Sequence, residues 1–110
     1  LIADDDRDIL SIIETILQED GYQTLTASNG EQAVMLVQTH AVQLLILDIM
    51  MPKMNGDEAA KCIRKINPSI PIVAMSAQSE YSIDQTIMND SISKPIDEQK
   101  LNHILSKYVS

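Results

Sequence analysis

Apolar and polar positions fall along this chain in short alternating blocks. Leu1-Ile2-Ala3 is apolar and stops at Asp4-Asp5-Asp6; Ile9, Ile12, Ile13, Ile16 and Leu17 then recur at helical spacing as far as Gly21, a natural C-terminal stop. The block reads as a strand, an acidic loop and a helix, and because the chain opens inside the strand, that strand is expected to be truncated. Tyr22 to Ala27, rich in Thr, predicts a second short strand. Ser28-Asn29-Gly30-Glu31 has the spacing of a capping box, ahead of a helix whose Ala33, Leu36 and Val37 share a face. Val42 to Leu47 is almost continuously apolar, the pattern of a central parallel strand buried on both faces, and it ends at Asp48. A loop from Met50 to Gly56 leads into a helix with Ala59, Ala60, Ile63 and Ile66 on its inward stripe, closed by Asn67-Pro68. Ile70 to Met75 predicts a fourth strand ending at Ser76, Glu80 to Met88 a weakly patterned helix, and Ser91-Ile92-Ser93 a last strand ending at Lys94-Pro95. Leu101, Ile104, Leu105 and Tyr108 share one face of a final helix that starts at Asp97-Glu98 and carries Lys107 in its last turn.

Five strands alternating with five helices, with no internal repeat, linker or low-complexity segment, imply one α/β domain over residues 1–110: a doubly wound parallel sheet with helices on both faces. Such sheets bind ligands at the C-terminal ends of their strands, where the strand order reverses. The pattern puts Asp4 and Asp5 after the first strand, Asp48 after the third, Ser76 after the fourth and Lys94 after the fifth. Four strand ends thereby converge on one edge.

Composition narrows the chemistry. A length of 110 residues suits one core, and 45% hydrophobic residues exclude disorder as the main reading. No apolar run is long enough to cross a bilayer. A single cysteine, Cys62, closes no internal disulfide, and His40 and His103 stand too far apart for zinc-ligand spacing, so a reducing, cytoplasmic setting is expected. Sixteen Asp and Glu against eight Lys and Arg leave a net charge of -8, which repels nucleic acid and anionic membranes; direct contact with either is not expected. With no Trp, no Phe and three Tyr, nothing stacks bases or a flavin ring.

Three carboxylates within reach of one another stay ionised at neutral pH only beside a cation. Mg²⁺ suits an all-oxygen set of one or two carboxylates completed by waters and a phosphate. A carboxylate can also attack phosphorus to give an aspartyl phosphate, while a metal and an ammonium neutralise the charge on the transferring group. On this reading Asp48, alone at the end of the most buried strand, is the nucleophile; Asp4 and Asp5 position the metal, Lys94 supplies a fixed positive charge and Ser76 a hydroxyl donor. An unpaired carboxylate ending an apolar strand costs too much to be incidental, and the other residues gain meaning from their joint placement. Asp6 reads as a helix cap, Met50, Met51 and Met54 as loop packing, Cys62 as a small buried helix residue and His103 as a solvated position.

Asp4-Asp5, then Asp48 with Met51-Pro52 and Gly56 downstream, then Ser76-Ala77 and Lys94-Pro95 together resemble the receiver domain of two-component response regulators, over essentially the whole chain. The resemblance implies a flavodoxin-like five-stranded sheet in the order 2-1-3-4-5. It implies Asp48 as phosphoacceptor, a Mg²⁺ site of Asp5, Asp4, Asp48 and the backbone carbonyl of Met50, Ser76 as the switch hydroxyl, Lys94 as the phosphate-binding lysine and a cis Lys94-Pro95 bond. It implies a signalling phosphoacceptor that assists its own phosphorylation, not an enzyme, charged from a phosphohistidine on a histidine kinase or histidine phosphotransfer domain. The family then changes shape on the face built by its fourth helix, fifth strand and last helix. Lys94-Pro95-Ile96-Asp97, with Leu101 and Lys107-Tyr108, is similar to receivers of hybrid sensor kinases, so an attached kinase or output domain is expected. A phosphotransfer helix is expected to dock on an apolar strip of Ile9, Leu10 and Ile13. Met50 and Gln78 stand at positions similar to the family's tuning sites for phosphoryl lifetime.

Two departures from the family pattern stand out. Ser76 to Lys94 is short by roughly one helical turn, which at ~1.5 Å rise per residue shortens the fourth-helix region. Ser91 stands where the family has its aromatic switch residue, with Tyr81 the nearest substitute. They favour one rival, a degenerate receiver that acts as a phosphorylation-independent docking module. Other classes fit less well. Asp4, Asp6 and Asp8 match the first ligands of a calcium loop, but Ile9 replaces its Gly and Thr15 its bidentate Glu. A phosphatase of the haloacid dehalogenase type needs a cap segment over its substrate, and a flavodoxin-like electron carrier needs a phosphate loop and ring-stacking aromatics.

Overall fold

The computed structural model describes residues 1–51, 54–76, 87–94 and 96–109. Its elements run β1 (Ile2–Ala3), α1 (Arg7–Glu19), β2 (Thr26–Ala27), α2 (Gly30–Thr39), β3 (Leu45–Asp48), α3 (Gly56–Ile66), β4 (Ile72–Ser76), β5 (Asp90–Ser93) and α4 (Glu98–Tyr108). All five strands pair in parallel, in the order β2-β1-β3-β4-β5 expected from the resemblance. Four helices are present among the described residues. The fifth, expected over Glu80 to Met88, lies mostly outside them, and its last two positions, Ile87 and Met88, are not helical. Gln78, Tyr81, the shortened stretch after Ser76 and the Lys94-Pro95 bond also fall outside the described residues.

Side chains alternate across each strand, so a strand covered on both faces needs apolar residues at every position. Leu45, Leu47, Ile72 and Ala74 point to one face, where they pack with Ala33 and Val37 of α2 and Ala59, Ala60 and Ile63 of α3. Ile2, Ile46, Val73 and Met75 point to the other, against Ile13 and Leu17 of α1 and Leu101, Ile104 and Leu105 of α4. β2 is shorter than the expected Tyr22 to Ala27 because its ladder is limited by its partner: Thr26 and Ala27 pair with Ile2 and Ala3, the only two residues of β1.

The helix ends show the expected chemistry with one shift. Asp6 caps α1, its Oδ1 accepting from Asp8 N at 2.9 Å and Ile9 N at 3.4 Å. At the other end Gly21 takes φ +88°, and Gly21 N and Tyr22 N return to the carbonyls of Gln18 and Leu17 at 3.0 Å each, a left-handed closure that glycine adopts without Cβ strain. The cap of α2 sits one residue later than the sequence spacing suggested. Asn29, not Ser28, accepts from Gln32 N at 2.9 Å, and Gln32 Oε1, not Glu31, reaches back to Ser28 N at 2.8 Å.

Three packing expectations change. Ile12 is 53% exposed because it stands about 100° round the helix from Ile13, off the buried stripe. Ile66 is 40% exposed, since it ends α3 beyond the stripe that Ile63 closes. Ile13 is fully buried, so it cannot form an outer strip with Ile9 and Leu10, which are half-buried against the same core. Cys62 is half-buried, and His103 is exposed as expected.

Candidate functional site

Strand register brings the acidic residues together. Ile2 lies opposite Ile46 and Ala3 opposite Leu47, so one step further the same register sets Asp4 beside Asp48. Asp48 lies opposite Met75, and Met75 opposite Ile92. Lys94, two residues beyond Ile92 and of the same parity, overhangs that row from the end of β5. Its ammonium lies 2.9 Å from Asp4 Oδ2 and 3.3 Å from Asp48 Oδ1.

Asp4 is fully buried and Asp48 is 4% exposed, while Asp5 faces solvent. Asp4 Oδ1 accepts from Asp6 N at 2.9 Å. Among the described residues Asp4 Oδ2 has no aligned hydrogen-bond donor, so the 2.9 Å approach of Lys94 is an ion pair without good hydrogen-bond direction. Asp4, Asp5 and Asp48 each offer a carboxylate oxygen within 4.8 Å of the others. The sequence-predicted trio and Lys94 therefore meet.

Two glycines let the surrounding backbone close on Asp48. A Cβ on Gly56 would run into the Asp48 carbonyl oxygen and stand 2.8 Å from Ile49 Cα, while Gly56 N donates to Ile49 O at 2.9 Å and draws the start of α3 onto the loop. A Cβ on Gly30 would collide with the Met54 carbonyl oxygen, to which Gly30 N donates at 3.1 Å. Gly56 belongs to the motif read from the sequence. Gly30 read only as part of a cap, because nothing local signals that α2 and the loop before α3 will touch.

The remaining predicted residues surround the cluster less directly. Met50 N approaches Asp48 Oδ1 at 3.4 Å, but the Met50 side chain is 75% exposed, so it does not serve as the loop packing expected from the sequence; Met51 is buried and Met54 packs against the core, as expected. Ser76 is half-buried at the end of β4, paired with Ser93, and its carbonyl accepts from Lys94 N at 2.8 Å. Ser91 is exposed in β5, its amide donating to Asp90 Oδ1 at 2.9 Å.

The site is electrostatically incomplete. Burial first, and then repulsion from Asp4, push the Asp48 carboxyl from an ordinary 3.8 to about 6, against the opposing pull of Lys94 and the Met50 amide. Burial alone would lower the Lys94 ammonium, but its contacts with Asp4 and Asp48 hold it above the usual lysine value. Both directions follow from a cluster in which carboxylates outnumber cations. Counting Asp4, Asp5 and Asp48 as ionised beside one ammonium leaves two negative charges, and the buried Asp4 Oδ2 lacks a well-aligned donor. An all-oxygen donor set with that deficit fits a hard divalent cation such as Mg²⁺.

Among the described residues no helix is long and apolar enough to cross a membrane. Comparison with known proteins gives a consistent picture. The sensor kinase/phosphatase LuxN of Vibrio harveyi is 33% identical over 113 residues, which take in 100% of this chain and 13% of that protein. The transcriptional regulatory protein PhoP of Bacillus subtilis is 31% identical over 93% of this chain and 44% of its own length. The chain thus spans less than half of these curated relatives. Among solved structures, the response regulator TrrA of Thermotoga maritima in complex with Mg²⁺ and BeF superposes with a TM-score of 0.90 at 32% identity, covering 98% of this chain and 96% of that one. The receiver domain of the sensor histidine kinase PA1611 of Pseudomonas aeruginosa, with magnesium coordinated in its active site cleft, gives 0.90 at 26% identity over 97% and 93%. Residues 1–106, which carry every described strand and the acidic cluster of Asp4, Asp5 and Asp48, match the response regulator receiver domain family. The parallel sheet gathers Asp4, Asp5, Asp48 and Lys94 at its C-terminal edge, and by the family match over residues 1–106 the chain belongs to the response regulator receiver domains of two-component signalling.

Proposed function

We propose that this chain is a phosphoacceptor. Asp48 takes a phosphoryl group from a phosphohistidine on a histidine kinase or histidine phosphotransfer domain, in a Mg²⁺-dependent step, and the phosphorylated domain relays the signal by changing conformation. The observation that carries this reading is the Lys94 ammonium set 2.9 Å from Asp4 and 3.3 Å from Asp48 in a cluster still two positive charges short. Asp48 Oδ1 is engaged by Lys94 and the Met50 amide, which leaves Oδ2 to attack phosphorus. The new O–P bond forms as the N–P bond of the phosphoimidazole breaks, and the imidazole leaves with the bonding pair and takes a proton from solvent.

Asp4, Asp5, Asp48 and the Met50 carbonyl would hold the magnesium ion, which supplies neutralisation of charge on the phosphoryl oxygens. Lys94 gives up part of its contact with Asp48 to face a phosphoryl oxygen, and the Ser76 hydroxyl donates to another. The solved relatives that hold Mg²⁺ with BeF, or magnesium in the active site cleft, support this reading. Because the chain matches only a fraction of LuxN and PhoP, a kinase or output domain joined to it belongs to the same proposal, as does a cytoplasmic position for this domain.

The test is the intact-protein mass after incubation with acetyl phosphate, with and without Mg²⁺, for the wild type and Asp48→Asn. One added phosphoryl group that requires both Mg²⁺ and Asp48 is the expected result. A folded protein that binds Mg²⁺ and gains no mass would overturn it in favour of a phosphorylation-independent docking module.

A further inference from the structure

We propose that Arg64 is a positioning residue for Lys94, acting through the start of β5; the inference rests on the phosphoacceptor reading above. β5 is an edge strand among the described residues, four residues long, with only Ile92 buried. A short strand paired on one side and anchored by one apolar side chain specifies its register weakly. Yet β5 must deliver Lys94 to within 2.9 Å of Asp4 and 3.3 Å of Asp48.

The residues ahead of β5 are clamped instead. Arg64, in the last turn of α3, donates from Nε to Ile87 O at 3.0 Å and from Nη2 to Ile87 O at 2.6 Å and Asn89 Oδ1 at 3.0 Å. Its Nη1 donates to Pro68 O at 3.0 Å and Ile70 O at 2.6 Å, so every N–H of the guanidinium is engaged. Asn89 is in turn locked to the first residue of β4: Asn89 N donates to Ile72 O at 2.8 Å, and Asn89 Oδ1 accepts from Ile72 N at 2.9 Å. One residue later the register begins, with Asp90 opposite Val73, and it runs unbroken to Ser93 opposite Ser76 and the bond from Lys94 N to Ser76 O at 2.8 Å.

From the side of α4, Tyr108 Oη donates to Asn89 O at 3.3 Å, and Lys107 pairs with Asp90 at 3.0 Å. The α3 side of the clamp is Arg64 alone among these donors. Its planar fork meets acceptors from two separate segments at once, which a lysine ammonium cannot do. Moving the start of so short a strand moves its end, because the ladder between them is continuous.

The experiment is a double-mutant cycle on the rate of phosphorylation by acetyl phosphate in Mg²⁺: wild type, Arg64→Ala, Lys94→Ala and the pair. Arg64→Ala should slow the wild type about tenfold or more, in keeping with the cost of a misplaced charged group. On the Lys94→Ala background it should slow the reaction less than about twofold, since the group it positions is gone. Equal factors on both backgrounds would show a purely structural role and overturn the proposal. If Arg64→Ala does not fold, Arg64→Lys carries the same cycle, with a smaller loss of the same pattern. Amide hydrogen exchange reads the device without phosphorylation. Arg64→Ala should speed exchange at the Lys94 amide at least about tenfold and leave the Asp4 amide, bonded to Ala27 O at 3.0 Å on the far side of the sheet, unchanged. Equal acceleration at both, or none at Lys94, overturns it. A wild type that takes no phosphoryl group defeats the phosphoacceptor reading, and Lys94 exchange then decides this one.

Discussion

Replacing Asp48 by asparagine should make the metal-free domain more stable at pH 7, although Asp48 is the residue on which the proposed chemistry turns. The folded protein holds this carboxyl at about 6, chiefly through burial and then through Asp4, against an ordinary 3.8 in the unfolded chain. The folded state therefore binds the proton more readily than the unfolded state. Stability gains as pH falls from 7 through 6 toward 4, and the penalty for the ionised carboxylate is present in full above pH 6. At ~1.4 kcal/mol per pH unit of difference the penalty is ~3 kcal/mol at pH 7 and ~1 kcal/mol at pH 4.5. Asparagine removes the charge and keeps an oxygen for the Met50 amide, which approaches Asp48 Oδ1 at 3.4 Å. Urea unfolding in EDTA measures the difference: with slopes of ~1–3 kcal/mol per molar, the Asp48→Asn midpoint at pH 7 should lie about 1 M or more above wild type. At pH 4.5 most of that gap should close, and at pH 7 added Mg²⁺ should narrow it by stabilising the wild type more. An asparagine variant no more stable than wild type at pH 7, or an advantage of the same size at both pH values, would refute the account.

Lys94→Ala leaves Asp4 and Asp48 facing each other in a buried site, so at pH 7 it should destabilise by ~2–4 kcal/mol and recover on acidification to pH 5 as Asp48 takes its proton; a pH-independent loss in thermal melts would contradict this. Asp5→Asn changes an exposed ligand, so calorimetry should show Mg²⁺ affinity falling about tenfold with the urea midpoint unmoved, and unaltered affinity would remove Asp5 from the site. Gly56→Ala forces a methyl group against the Asp48 carbonyl and should cost ~2 kcal/mol or more in urea unfolding, with phosphorylation slowed as well; a neutral effect would mean that the loop yields easily.

The sequence by itself determined the class of fold, since short, nearly continuous apolar blocks alternating with period-3.6 helical stripes are the pattern of a parallel sheet covered by helices on both faces. It also exposed Asp48, because a carboxylate ending an apolar strand is a conflict visible in a few consecutive residues. Asp6 and Asp97 were legible as helix starts for the same reason: their partners lie two or three residues away. The placement of Asp4 beside Asp48 needed the β1–β3 register, and the pairing of Lys94 with both needed the whole ladder from β3 to β5. Ile12 and Ile66 misled because spacing reports periodicity and not which side of a helix finds a neighbour. Gly30 and Arg64 were silent, for their partners at Met54, Ile87 and Asn89 stand more than twenty residues away along the chain. Charge and hydropathy are properties of single residues and short windows, so they survive in the sequence. The distances that turn three carboxylates and a lysine into one site are set by strand register and by close backbone approach, which exist only once distant segments have packed.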